Sequence, residues 1–123
     1  MKHGLLLFAH GARDPRWALP FEQVAAALRA ARPTQPVCLA FLEIMAPDIH
    51  VAGADLVAQG CGEIDVLPLF LGAGGHTRKD LPPLLETLRA THPRVVFKLH
   101  PAVGEAPALI AAIAEHALTL RQP

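Results

Sequence analysis

Two histidines and a glutamate stand at the positions where chemistry is easiest to build. His10 closes the apolar run Gly4–Ala9, Glu43 closes the run Val37–Leu42, and His76 follows the glycine-rich stretch after the run Ile64–Leu71. An imidazole with an ordinary pKa near ~6.5 accepts a proton at neutral pH, or binds a metal through its neutral nitrogen. Two imidazoles and a carboxylate together suit a divalent ion of intermediate softness, such as cobalt, iron, nickel or zinc. The same three groups also suit a division of labour between general base, metal ligand and electrostatic partner. Taken singly, each has a plainer reading: a strand-end histidine making a structural hydrogen bond, a glutamate pairing with an arginine, a histidine in an exposed loop. Their shared position is what points to a site. His100 follows the fourth apolar run and is a further candidate for lining it. His3, His50, His92 and His116 fall at the far end of a strand, on helices or in a turn, and read as structural or surface residues.

Basic residues accompany two of these groups. Arg13 and Arg16 follow His10, and Arg78 and Lys79 follow His76. At the start of a helix a cation opposes the helix dipole, at a cost of ~0.3–1 kcal/mol each. Four of them at two such places point to an anionic ligand, and arginine in particular pairs carboxylates through two parallel hydrogen bonds.

The elements that must position these residues alternate along the chain. In open parallel sheets, ligands bind beyond the carboxyl ends of the strands. Apolar runs at 4–9, 37–42, 64–71 and 95–99 read as buried strands. Between and after them lie helical stripes: Phe21, Val24, Ala25 and Leu28 within about 16–32; Ile49, Ala52, Gly53 and Leu56 within 48–59, with Asp48 as N-cap; Leu81, Leu84, Leu85 and Leu88 within 79–91; and Ala106, Ile110, Ile113 and Ala117 within 105–120. Pro68 lies inside the third run, so that strand either bulges there or leaves that side unpaired. The order βαβαβαβα predicts an α/β fold of three layers, with an open, mainly parallel, four-stranded sheet in a flavodoxin-like arrangement.

Composition narrows the function classes. The chain has 123 residues, which fits one domain. Hydrophobic residues make up 52% and charged residues 18%, which argues against disorder. Lys+Arg and Asp+Glu are both 11, so the zero net charge disfavours a nucleic-acid or anionic-membrane binder. No apolar run approaches the ~18–20 residues of a membrane helix, and the short run near the start lacks the features of a secretion signal. Cys38 and Cys61 form no C-x-x-C pair and read as reduced thiols, which suits a cytoplasmic location. High apolar content with 5% aromatics leaves surface for a partner and suggests a homodimer. The glycine-rich stretch lacks the Lys-Ser/Thr of a P-loop and the G-x-G-x-x-G spacing, so no nucleotide is expected. The chain contains no serine, which removes the serine nucleophile elbow.

Three motifs in register carry a family resemblance. Leu5–Ala9 followed by His10-Gly11-Ala12-Arg13 resembles the "hydrophobic strand, then H-G-S-R" opening of the class II chelatases. Phe41-Leu42-Glu43 with Pro47 resembles their second motif. Leu67–Leu71, then Gly74-Gly75-His76, then Asp80 and Pro82, resembles their third. The chain is most similar to the short sirohydrochlorin chelatases of cobalamin and sirohaem biosynthesis, over residues 1–123, as one chelatase domain of the half-length form. The resemblance implies ATP-independent insertion of cobalt, iron or nickel into sirohydrochlorin, a macrocycle bearing eight carboxylates, by a homodimeric lyase-class enzyme. It implies metal-handling and proton-accepting roles for His10 and His76, with Glu43 as metal contact or charge partner. Arg13, Arg16, Arg78 and Lys79 would hold the peripheral carboxylates. Ala12 stands where the family has serine, which removes a hydroxyl but no ligand. A non-catalytic metal or tetrapyrrole carrier would present the same rim, and a zinc hydrolase would use the same three groups around an activated water.

Overall fold

The computed structural model describes residues 2–72 and 74–121, and of residues 75–78 it describes the backbone only. Four strands form one sheet: β1 (Lys2–Ala9), β2 (Val37–Phe41), β3 (Cys61–Pro68) and β4 (Val96–Leu99). Their spatial order is β2-β1-β3-β4, and all neighbours run parallel. The connecting helices are α1 (Leu19–Ala31), α2 (Ile49–Ala58) and α3 (Gly75–Thr91), with α4 (Pro107–Leu118) after the last strand. Parallel neighbours need a crossover each, and right-handed crossovers send the helices to opposite faces according to the direction of travel along the sheet. The step from β1 out to β2 puts α1 on one face. The two steps back across the sheet put α2 and α3 on the other.

The core is lopsided for that reason. The larger cluster lies on the α2–α3 face and joins Leu6, Phe8, Ile64, Val66 and Phe97 of the strands to Ile49, Leu56, Leu85 and Leu88 of the helices. The α1 face holds a smaller cluster built on Leu7, Ala25 and Val37. Alternate β1 residues thus serve opposite faces, as the period of a strand requires.

Local chemistry explains most element boundaries. Asp48 caps α2 as expected, its Oδ1 accepting from the Val51 amide at 2.8 Å. Pro68 is the last residue of β3 and lies beyond the last β3–β4 pair, Val66 with Leu99, so its nitrogen falls on a side left unpaired. On the other side the Leu69 N–H donates to the Phe8 carbonyl at 2.8 Å and the β1 ladder continues. The first helix is divided. Asp14 starts a 3₁₀ turn, Pro15–Ala18, by accepting from the Arg16 amide, and α1 follows with Pro20 in its first turn. Its buried stripe differs from expectation at Val24, which is 44% exposed, while Ala25 carries the contact with the sheet.

Two expectations are corrected. His76 was expected in a loop, but the backbone turns helical at Gly75, which places His76 in the first turn of α3. Gly74, extended at φ −67 and ψ 164, is the N-cap, so the glycines lead into the helix and do not form a longer loop. The stripe Ala106, Ile110, Ile113 and Ala117 was expected to be buried, yet no residue of α4 is buried. A stripe can find its partner only where an apolar surface faces it, and the part of the sheet beside β4 sets Val96 among charged and polar side chains. A cavity of about 290 Å³ there is lined by His3, Glu63, Asp65, Lys98 and His100, among others.

Candidate functional site

The carboxyl ends of β1 and β2 bring the first two expected residues together. His10 follows Ala9, the last residue of β1, and Glu43 lies two residues beyond β2. The ladder continues past both strands: Leu42 N–H donates to the Ala9 carbonyl at 2.9 Å, and Glu43 N–H to the His10 carbonyl at 3.1 Å. The side chains meet as well, with His10 Nε2 3.1 Å from Glu43 Oε1. With the carboxylate accepting from Nε2–H, the neutral imidazole keeps its Nδ1 lone pair.

Gly11 makes this approach feasible. Its φ is +101°, and a Cβ there would stand 1.9 Å from the Glu43 carbonyl oxygen. Only a residue without a side chain allows the two loops to close so tightly. On the other side, Ile44 holds φ +70° although it is β-branched, so the loop carrying Glu43 contains a strained residue.

Phe70 forms a third wall that the sequence reading did not single out. Its ring centroid is 6.1 Å from that of His10, with the planes at 70°, and 6.2 Å from that of Phe8. The segment is fixed from behind by a 3₁₀ turn, Val103–Glu105: the Gly104 amide donates to the Phe70 carbonyl at 2.9 Å. Gly104 also lies so close that a Cβ there would be 1.7 Å from the Leu71 carbonyl oxygen. The usable signal was the β1–β3 register, which pairs Phe8 with Pro68 and so carries Phe70 toward the level of His10.

The remaining expected residues separate into groups. His76 and Arg78 are in the first turn of α3, and their side chains lie outside the described residues. Lys79 is exposed on the same helix. Arg13 is exposed and lines a cavity of about 330 Å³ with Glu22, Phe41 and Met45. Arg16 is tied to Asp14, its guanidinium 3.0 Å from Oδ2, and these hydrogen bonds hold the Asp14 carboxyl below the ordinary carboxylate range. Among the described residues no group of three or more His, Cys, Asp or Glu could hold a metal ion, so His10 and Glu43 stand as a pair.

His100 does not join them. Its Nε2 is 2.7 Å from Asp65 Oδ1, while the other oxygen of Asp65 faces His3 Nε2 at 3.2 Å, and His3 Nδ1 lies 3.4 Å from Glu63. The hydrogen bond from His100 is the main reason that the Asp65 carboxyl sits below its ordinary pKa, against the opposing effect of burial. Strand register explains this network: Asp65 is level with Lys98 on β4 and His3 is level with Glu63 on β3. A cavity of about 710 Å³ near Lys2, Gln35 and Cys38 contains none of the expected site residues. No helix among the described residues is long and apolar enough to cross a membrane.

Comparisons with known proteins bear on the family and the fold. A sirohydrochlorin cobaltochelatase from Methanothermobacter thermautotrophicus is 36% identical over 84 residues, which cover 68% of this chain and 58% of that protein. The match therefore spans less than two thirds of the relative's length. The crystal structure of a CbiX protein from Marinobacter aquaeolei VT8 superposes with a TM-score of 0.84 at 33% identity, covering 95% of both chains. The sirohydrochlorin chelatase SirB from Bacillus subtilis subspecies spizizenii, crystallised in complex with cobalt, shares the fold at a TM-score of 0.84 and 22% identity, with 98% of this chain matching 51% of that one. The CbiX family model matches residues 4–120, and on that near-complete match the chain belongs to the CbiX family.

Proposed function

We propose that this chain is a sirohydrochlorin metallochelatase, which inserts cobalt, or iron or nickel, into the tetrapyrrole without ATP. The observation that carries this reading is the His10–Glu43 pair at the carboxyl edge of the sheet, 3.1 Å apart. Two donors each about 2.1 Å from one ion and at right angles about it lie roughly 3 Å apart, so once the imidazole proton moves from Nε2 to Nδ1 the ion can take its place between Nε2 and Oε1. The divalent ion is a substrate here and enters at this pair. His76, in the first turn of α3, is the proposed third group.

Metallation removes two pyrrole N–H protons while the ion sheds water. A neutral imidazole has one free lone pair and can either take such a proton or hold the ion, so one histidine holds the ion while the other accepts the two pyrrole protons in turn and passes each to solvent. Glu43 contributes negative charge that offsets the incoming cation. Arg13, Arg16, Arg78 and Lys79 pair the carboxylates of the macrocycle and hold its centre over the ion, which supplies proximity. The His10 and Glu43 side chains are 43% and 57% exposed, within reach of a flat, wide substrate. We further take the chain to be one half-length chelatase unit, 1–123, that works as a homodimer; SirB, about twice as long, matches it over half its length.

The test is turnover. A sub-stoichiometric amount of protein is mixed with sirohydrochlorin and cobalt, iron or nickel at matched concentration, and the absorbance of the macrocycle is followed. Many cycles per chain are expected, with His10→Ala and His76→Ala abolishing turnover at unchanged thermal stability. At most one cycle per chain would identify a carrier, and full activity of His76→Ala would remove that residue from the mechanism.

A further inference from the structure

The loop that carries Glu43 holds one residue whose conformation the fold alone does not explain. Among the described residues, Ile44 is the only non-glycine with a positive φ, +70°. The Met45 N–H donates to the Glu43 carbonyl at 2.7 Å, which makes Glu43–Ile44–Met45 a three-residue γ-turn of the strained kind. A β-branched side chain suits the centre of such a turn least, and glycine or asparagine would sit there more easily. Burial does not offset that strain, because Ile44 is 63% exposed. The backbone around it is held on both sides. Phe41 N–H donates to the Pro47 carbonyl at 2.9 Å, and Glu43 N–H to the His10 carbonyl at 3.1 Å. The turn is therefore a fixed mount, and what it presents next to the His10–Glu43 pair is an exposed aliphatic side chain. Strain of this kind persists where a site has a use for it.

The same side chain lines the cavity of about 330 Å³ that holds Arg13, together with Pro15, Phe41 and Met45. Apolar walls with one cation suit a ligand arm that has an aliphatic stem and an anionic tip. Glu22 also lines this cavity and repels a second carboxylate, so it takes a single such arm. We infer that Ile44 is a substrate contact: its side chain lies against the stem of one carboxylate arm of the tetrapyrrole, whose tip pairs with Arg13. The contact sets the rotation of the macrocycle about the His10–Glu43 pair. Exposed cations alone do not set it, since they attract every carboxylate on the rim of the ring alike and are screened by salt. An apolar wall on a rigid turn adds a contact that only a correctly rotated arm can make.

The inference rests on the proposed function for the identity of the ligand, and metal-free binding of sirohydrochlorin, followed through the fluorescence of the macrocycle, tests it apart from turnover. Ile44→Gly and Ile44→Asn both accept the turn and remove the aliphatic group. Each should raise the Kd of the macrocycle about tenfold and melt no lower than the wild type. Ile44→Leu keeps the apolar contact and should bind within about twofold of the wild type. Arg13→Gln should also weaken binding. The double variant Arg13→Gln with Ile44→Gly should lose less than the product of the two single losses, because both residues hold one arm. Wild-type affinity in Ile44→Gly, an equal loss in Ile44→Leu, or single losses that multiply in full would each overturn the inference. A fall in melting temperature in both Ile44→Gly and Ile44→Asn would also overturn it, by assigning the side chain to the fold. A wild type that binds sirohydrochlorin with these Ile44 effects but never metallates it would leave the contact standing and sink the chelatase reading. A wild type that turns over, with an Ile44→Gly variant that binds unchanged, would do the opposite.

Discussion

Replacing Gly11 with alanine tests the link between backbone geometry and the His10–Glu43 pair. A methyl group at this position meets the Glu43 carbonyl oxygen at 1.9 Å, far inside contact distance, and φ +101° is itself a conformation that alanine avoids. The backbone strain costs about 1–3 kcal/mol. The Glu43 loop must also move, which breaks the hydrogen bond from Glu43 N–H to the His10 carbonyl, a loss of about 1 kcal/mol. The sum is about 2–4 kcal/mol. At roughly 3–5 °C per kcal/mol for a chain of this size, the melting temperature should fall by roughly 6–20 °C. Differential scanning calorimetry measures that drop, and the metallation assay should show activity falling with it because the loop displaces Glu43 from the imidazole. His10→Ala is the control: it removes the ring but keeps the loop contact, so turnover is lost with little change in melting. A Gly11→Ala protein that melts within the error of the wild type and metallates at the wild-type rate would falsify the claim that this glycine sets the approach of the two loops.

Two further outcomes follow from the ionisable groups. Asp65 has a folded-state pKa below its ordinary value, so its contribution to stability is present above about pH 4 and is lost as the pH falls through the folded-state value. The melting temperature of the wild type should therefore drop more steeply in acid than that of Asp65→Asn, and parallel curves would remove the His100 hydrogen bond as the cause. Burial first, and then the Asp55 carboxylate, push the Cys38 thiol up to about 11. Against an ordinary thiol value of 9.0, Cys38 should alkylate roughly 100-fold more slowly than a free thiol at mildly alkaline pH, with partial recovery in Asp55→Ala; reaction at the free-thiol rate would contradict this assignment.

The parts of the molecule that were legible in the sequence depend on neighbours close in the chain or on strict alternation. Asp48 caps α2 through a contact three residues away, and the four apolar runs became four parallel strands, although Asp65 and Lys98 leave one face of β3 and β4 polar. His10 and Glu43 met because strand ends share an edge in any parallel sheet. What the sequence hid required knowledge of the other side of a contact. The α4 stripe has the same pattern whether its partner is its own sheet or another molecule. The glycines before His76 read as a loop, although Gly74 serves as a cap and the helix begins at the next residue. His100 stood at the right edge, but Asp65 in mid-strand claims it, and only the β3–β4 register reveals that.

The clamp at Gly104 gives the tail of the chain a duty that its distance in sequence conceals. A protein shortened after Leu99 would retain every strand pairing, yet the Phe70 carbonyl would lose its amide donor and Phe70 would lose Ala102 from its cluster. The sheet would stand while the wall beside His10 slackened. Residues with no place in the sheet thus hold the wall beside the first imidazole, and, on the proposed function, changes made there to improve solubility or to attach a tag would register first as altered metallation and only later as instability.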